Sequence, residues 1–128
     1  DLKKELCITI VRKHSDDLLG ALLSENWYAI NTASMLLRAI CVVGPAAVQL
    51  VNQKIPFSAV RNLPTMIQNP KTRYRVSRWV LSMIRNDPQT IGKQILLRQD
   101  IIAALAEGIY RDSEVLVNDV RFSILDDA

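Results

Sequence analysis

The chain of 128 residues is long enough for one domain, and it is 49% hydrophobic but only 5% aromatic, which predicts an aliphatic core and excludes a disordered polypeptide. With only four glycines and five prolines, the composition favours an all-α fold. The formal net charge is +3, and no apolar run approaches the ~18 residues that span a bilayer, which excludes a membrane-spanning helix.

The first half of the chain has the pattern of a series of helices. Apolar residues recur at helical spacing over residues 1–13, and a second helix is expected over 15–26 with Ser15 as its N-cap. A longer helix is predicted from about 26 to 43. Gly44–Pro45 ends it, because glycine suits a left-handed position and proline suits the first turn of the next helix.

The second half begins with a break at Ile55–Pro56, since proline disfavours a helical residue before it. Pro64 lies inside the next apolar segment, 57–69, and predicts a kink or an irregular start. Residues 73–86 are strongly amphipathic, and Asp87–Pro88 supplies a cap and a first-turn proline for a short helix. Two more helices are expected over residues 99–112 and 113–127.

An internal repeat organises these elements. Pro45 and Pro88 lie 43 residues apart, and at that offset apolar residues fall opposite one another. The aligned pairs are Leu37 with Val80, Ile40 with Met83, Cys41 with Ile84, and Val48 with Ile91. A third, partial copy aligns 76–87 with 117–128. Helical repeats of about 40 to 47 residues are typical of solenoids, because one unit cannot bury its apolar face alone.

The segment RYRVSRWVLSMIRNDPQTIGKQILLRQDIIAALAEGIYRDSEV resembles one armadillo repeat: a tryptophan-containing helix, a polar turn, a proline-initiated short helix and an apolar helix. The resemblance implies an all-α, right-handed α-solenoid of about three armadillo/HEAT-type units. We expect a degenerate or capping unit over 1–30, repeats over 31–72 and 73–113, and a partial repeat over 114–128. Because the chain opens at Asp1, we expect a fragment of a larger protein.

One armadillo subgroup is excluded by its binding residues. Importin-like members carry Asn four residues after Trp, and these asparagines clamp an extended peptide. Here Trp79 stands at the Trp position, but Met83 replaces Asn. The corresponding pairs in the other copies are Leu36–Ile40 and Val120–Ile124, so an asparagine ladder is absent. The resemblance then implies a domain that binds folded or helical protein surfaces, as the armadillo domains of formins and myosin chaperones do.

Basic residues concentrate in the middle of the chain. Residues 54–98 carry nine basic side chains and one acidic one, whereas residues 1–53 are balanced and residues 99–128 carry two basic and seven acidic side chains. Such asymmetry predicts a polarised surface. Within the middle part, five polar residues recur at spacings of four, three, four and three, as one stripe on a helix: Lys71, Arg75, Arg78, Ser82 and Arg85.

We interpret this stripe as a partner-binding surface, since the armadillo resemblance would place it on the concave groove. Arginine forks bind carboxylates in two-point contacts, so the predicted partner is a protein with an acidic peptide or helix. Three more bases are expected to assist: Arg61, Lys93 and Arg98. A merely solvated helix face remains an alternative interpretation of the same residues.

The alternative interpretation is a compact helical adaptor in which the repeat is accidental. Its partner is nucleic acid, bound as RNA or DNA backbone through residues 54–98. RNA-binding domains usually add exposed aromatic residues for base stacking. Only Tyr74 lies near the stripe in sequence, because Trp79 belongs to the predicted core. We also expect Trp27 to pack in the core under a neighbouring repeat.

The sequence offers no pattern for catalysis, so we expect a non-enzymatic domain without cofactor or metal. His14 is the only histidine and is expected to lie at a helix end or on the surface. The adjacent carboxylates of Asp16–Asp17 and Asp126–Asp127 do not face each other on a helix. The four glycines are isolated, so no phosphate-binding loop is present.

The remaining expectations concern compartment and assembly. Cys7 and Cys41 lie in apolar helical patterns, which predicts buried free thiols and an intracellular, cytoplasmic or nuclear location. If the repeat array continues, residues 115–125 should leave an apolar terminal face through which the chain could form a homodimer.

Overall fold

The computed structural model describes residues 1–108 and Arg111, and within that part every regular element is a helix. The elements are α1 (Leu2–Leu22), α2 (Trp27–Cys41), α3 (Pro45–Lys54), a 3-10 turn (Phe57–Ala59), α4 (Leu63–Gln68), α5 (Arg73–Asn86), α6 (Pro88–Leu96) and α7 (residues 99–108). The expectation of an all-α fold is therefore confirmed for these residues. The predicted terminal helix, the partial repeat over 114–128 and the apolar face over 115–125 lie outside them.

Helix α1 consists of two helical segments joined at a kink, in agreement with the two helices that the sequence predicts. The kink lies at His14, whose backbone angles are non-helical, with φ of −125° and ψ of 18°. The bend thus falls one residue before the predicted cap, and His14 is exposed there as expected. Cys7 and Val11 are buried, but Leu2 and Leu6 point to solvent with 81% and 58% exposure. The first helix therefore leaves part of its apolar face uncovered.

The ends of α2 follow directly from capping residues. The side-chain oxygen of Asn26 accepts hydrogen bonds from the backbone amides of Tyr28 and Ala29, which satisfies two otherwise unpaired donors of the first turn. At the other end Gly44 has a φ of +151°, a conformation that residues with a side chain rarely adopt. Pro45 then occupies the first turn of α3, as the sequence predicts.

The segment around Pro64 is irregular, also as predicted. A 3-10 turn precedes the six-residue helix α4, and Pro64 lies in the first turn of that helix, where its missing amide costs no hydrogen bond. The loop after α4 is held by the Thr72 hydroxyl, which donates a buried 2.6 Å hydrogen bond to the Met66 carbonyl oxygen. This bond sets the start of α5.

Helix α5 supplies the centre of the core. Val76, Trp79, Val80 and Met83 are fully buried, and Ile84 is half-buried against the same cluster. The Trp79 ring packs against Phe57 with centroids 6.0 Å apart. Burying each large apolar side chain contributes roughly 1.5–3 kcal/mol. The predicted core stripe of this helix is therefore confirmed, with α5 packed chiefly on α2.

Helices α2 and α5 run parallel to each other. At their N-terminal ends the side-chain amide of Asn31 donates a 2.9 Å hydrogen bond to the Lys71 carbonyl oxygen. Towards their C-terminal ends, Arg38 and Val42 line the same cleft as Arg85 and Asn86. Each of the two helices is followed by a short helix that starts with proline.

Three of the four residue pairs that the 43-residue offset aligns share their burial, and in the fourth pair Cys41 is buried whereas Ile84 is half-buried. Leu37 and Val80 are both fully buried, and Ile40 and Met83 are at most 1% exposed. Ile40 and Met83, two of the residues that replace asparagine in the predicted alignment with importin-like proteins, therefore belong to the core.

Candidate functional site

The exposed face of α2 and α5 gathers most of the predicted basic stripe. Lys71, Arg75 and Arg85 are exposed, Arg78 is half-buried, and Ser82 is only 7% exposed. Ser82 is thus a residue of the cleft floor rather than of the open surface, and its hydroxyl and carbonyl oxygens both accept from the side-chain amide of Asn86. Four of the five stripe positions can reach a partner directly.

The C-terminal half of this face holds a cleft of about 230 Å³ between the two helices. Its walls combine three arginines with aliphatic side chains. The lining residues are Arg38, Val42, Arg78, Leu81, Ser82, Arg85 and Asn86. A cleft with cationic and aliphatic walls suits a ligand that carries both negative and apolar groups.

Tyr74 orders the arginines in the middle of the stripe. The guanidinium carbons of Arg75 and Arg78 lie 5.2 and 5.1 Å from the centroid of the Tyr74 ring. Arg78 also donates a hydrogen bond to the Tyr74 hydroxyl oxygen. These contacts restrict two long side chains before any partner arrives, which lowers the entropic cost of binding.

The face is electropositive because its two helices contain no acidic residue. Among the residues that the structure describes, no carboxylate forms an ion pair with Arg38, Arg75, Arg78 or Arg85. Arg73, the remaining arginine of α5, is instead buried and donates a 2.8 Å hydrogen bond to the Gln68 carbonyl oxygen. The exposed arginines can therefore neutralise negative charge supplied from outside.

The three assisting bases predicted from the sequence do not join this face. Lys93 lines a separate apolar groove formed by α5, α6 and α7. Arg98 is engaged by Asp100 through hydrogen bonds of 2.9 and 3.0 Å, and this pairing lowers the pKa of the Asp100 carboxyl. Arg61 is exposed in the loop before α4, and no contact links it to the stripe within the described residues.

Trp27 is a residue whose predicted role is wrong. It is 49% exposed rather than buried, and its neighbour Tyr28 is 69% exposed. As the first residue of α2, Trp27 follows the Asn26 cap and shares a helical face with Asn31 and Arg38, which lie four and eleven residues later. That shared polar face is the sequence signal for its exposure.

The exposed aromatic pair extends the candidate site beyond the basic stripe. Trp27 and Tyr28 line a groove of about 610 Å³ together with Asn31, Thr32, Met35, Leu36 and Arg75. The Lys71 ammonium lies 6.0 Å from the centroid of the Trp27 ring. These aromatic and aliphatic side chains of α2 are site residues that the sequence pattern does not predict.

Potential catalytic groups lie apart from this face. Within the described residues, no three His, Cys, Asp or Glu side chains come close enough to hold a metal ion. Nδ1 of the exposed His14 lies 3.3 Å from the Asp17 carboxylate. Both cysteines are buried free thiols, as predicted, and burial raises the pKa of the Cys41 thiol to about 12. In the same part of the chain, no helix is long and apolar enough to cross a membrane.

Comparison with known proteins gives one match. The model of the family described as "Npa1: Ribosome 60S biogenesis N-terminal" matches residues 2–126. No curated protein and no solved structure matches the chain.

Proposed function

Because this chain belongs to the Npa1 family of ribosome 60S biogenesis N-terminal domains, we propose that it is a non-enzymatic scaffold that binds a partner during assembly of the large ribosomal subunit. The partner is a protein, and the binding face is the exposed side of α2 and α5. No catalytic step is assigned to the domain itself. Because large ribosomal subunits are assembled there, the proposed location of the domain is the nucleus, and within it the nucleolus.

The acid-free face of α2 and α5 carries this proposal. Four arginines and Lys71 point to one side of the molecule, and none of the four is neutralised by an ion pair within the described residues. Arginine binds carboxylates through two parallel hydrogen bonds, and the ordered pair at Tyr74 is already positioned for it. An acidic segment of a partner protein is therefore the ligand that this face fits best.

The proposed architecture of the whole domain is an armadillo-like stack. Its support is the duplicated order of a long helix followed by a proline-initiated short helix, α2–α3 and α5–α6. The parallel packing of α2 on α5 adds to this support. In such a stack, equivalent helices lie side by side and their exposed residues form one continuous surface.

RNA is the second candidate partner, because aromatic rings are exposed beside the basic residues. The sequence predicts only Tyr74 beside the bases, yet Trp27 and Tyr28 are also about half exposed or more. Bases could stack on such rings while lysine and arginine neutralise phosphates. The experiment below separates the two candidates.

The test compares association of the full chain with precursors of the large subunit. We expect Arg75→Glu with Arg78→Glu to reduce association at least about fivefold, because the face then repels an acidic partner. Arg61→Glu with Lys93→Glu is the control, since it changes net charge by the same amount at exposed positions outside the face. Circular dichroism checks that both variants fold.

The outcomes of this test are distinct. Loss of association in the first double variant alone, with association of the wild type unaffected by ribonuclease, supports the protein-binding scaffold. Equal association of both variants contradicts it. Loss of wild-type association after ribonuclease, with a steep dependence on salt, identifies RNA as the partner instead.

A further inference from the structure

A column of exposed apolar residues runs along α2 at seven-residue spacing. Tyr28, Met35 and Val42 are 69%, 47% and 48% exposed and lie on one side of the helix. Seven residues are two helical turns, or about 10 Å, so the column is about 20 Å long. These side chains are not part of the core, because the buried residues of α2 lie on the opposite side of the helix.

A column of bases runs along the neighbouring helix with the same spacing. Arg78 and Arg85 lie in the middle and at the C-terminal end of α5, and Lys71 lies in the turn just before that helix. Each lies 43 residues after a member of the apolar column, which is the offset of the internal repeat. Because α2 and α5 run parallel, the apolar column and the basic column lie side by side in matching register.

We propose that these two columns form a docking surface for an amphipathic α-helix of a partner protein. The apolar residues of that helix lie on Tyr28, Met35 and Val42, and its acidic residues lie against Lys71, Arg78 and Arg85. Both columns repeat every seven residues, so the partner helix carries a seven-residue pattern of about three repeats. This inference rests on the proposed function and narrows its partner to a helix.

A helical partner explains the spacing better than an extended peptide does. In an extended chain, alternate side chains point to one side and lie about 7 Å apart, which does not match columns with a 10 Å repeat. A helix under coiled-coil packing presents one side chain every seven residues at that repeat. The cleft between Arg38, Val42, Leu81 and Arg85 can take an aliphatic side chain beside a carboxylate.

The ring geometry favours a protein helix over stacked RNA bases. The Trp27 and Tyr28 rings meet edge to face, with an interplanar angle of 82° and centroids 5.9 Å apart. They therefore do not offer two parallel platforms to successive bases. The guanidinium groups of Arg75 and Arg78 already lie over the Tyr74 ring. The aliphatic Met35 and Val42 also add nothing to phosphate binding, whereas they fit an apolar helix face.

The test uses three probes with the full 128-residue chain. The first is a designed peptide of about three heptads with leucines on one face and glutamates on one flank. The second has the same composition in scrambled order, and the third is a single-stranded RNA of about 15 nucleotides. Fluorescence reports binding, because exposed Trp27 lies beside the columns whereas Trp79 is fully buried.

We expect the amphipathic peptide to bind at least about tenfold more tightly than the scrambled one, since only it can bury the apolar column. Met35→Glu should remove that advantage. Leu97→Glu is the matched control, because Leu97 is 85% exposed on another surface and should leave binding unchanged.

The remaining outcomes overturn the inference in separable ways. Equal binding of both peptides shows that charge alone is recognised, which contradicts the helix site but leaves the proposed acidic partner in place. Tighter binding of the RNA than of either peptide contradicts both the helix site and the proposed acidic protein partner. Equal effects of Met35→Glu and Leu97→Glu contradict the assignment of the apolar column.

Discussion

The side-chain amide of Asn31 ties α2 to the residue that precedes α5 by donating a 2.9 Å hydrogen bond to the carbonyl oxygen of Lys71. This bond links the two helices at the end where the Lys71 ammonium lies over the Trp27 ring. We expect Asn31→Ala to lower the free energy of unfolding by about 1 kcal/mol, the usual net value of one hydrogen bond. Urea denaturation measures the loss.

Thr32→Ala is the matched control for this prediction. Its hydroxyl bonds only the Tyr28 carbonyl oxygen one turn earlier in the same helix, so its removal should change stability by less than about 0.5 kcal/mol. If both alanine variants were equally stable, the bond would not hold the two helices in register.

The two tryptophans should respond oppositely to truncation. Trp79 is fully buried against Phe57, so Trp79→Ala is expected to cost about 3–5 kcal/mol. Trp27 is half exposed, so Trp27→Ala should cost less than about 1 kcal/mol while weakening partner binding. Thermal denaturation of both variants checks the contrast, and a large loss of stability in Trp27→Ala would place that ring in the core after all.

Substitution by alanine at two glycines should change the stability of the domain in opposite directions. Gly44 has a φ of +151°, so Gly44→Ala is expected to destabilise the domain by about 1–3 kcal/mol. Gly20 is exposed within α1, and no atom lies within 4 Å of the position that a Cβ would occupy, so Gly20→Ala should stabilise the domain by up to about 1 kcal/mol. Chemical denaturation of the two variants measures the difference. A neutral Gly44→Ala would mean that the turn between α2 and α3 tolerates a side chain.

The Cys41 thiol should be inert in the folded domain. Burial raises the pKa of this thiol from 9.0 to about 12, so it stays protonated at pH 8. In the Cys7→Ser variant, a thiol reagent at pH 8 should modify Cys41 only after denaturant is added. Because the folded pKa is the higher one, this thiol's contribution to stability should fall as the pH rises above 9.0. Rapid modification of the native variant would contradict the buried position.

The sequence predicted the helices well where local chemistry decides them. Gly44–Pro45 and Asp87–Pro88 locate two helix boundaries, because glycine and proline restrict the backbone regardless of tertiary context. The division of α1 was predicted to within one residue, since Ser15 has a typical capping side chain and the kink lies at His14. Val11 and Leu18, on either side of this kink, are both buried in the core.

The candidate site was predicted only in part, for a physical reason. A charge stripe is visible in sequence because its residues belong to one helix, as with Arg75, Arg78 and Arg85. The contribution of α2 depends on which side of that helix packs on α5, and composition favours aromatic burial at Trp27. Lys93 and Arg98 share the basic segment but line other grooves, because they follow the end of α5 and so do not belong to its face.

Site-specific photocrosslinking tests the binding face most directly. A photoreactive phenylalanine analogue replaces Met35 in the full chain, and the same analogue at Lys93 serves as the control on a separate groove. In cells that assemble large ribosomal subunits, we expect position 35, and not position 93, to crosslink to an acidic segment of a protein. Crosslinks from position 35 to RNA alone, or equal crosslinking from both positions, would contradict it.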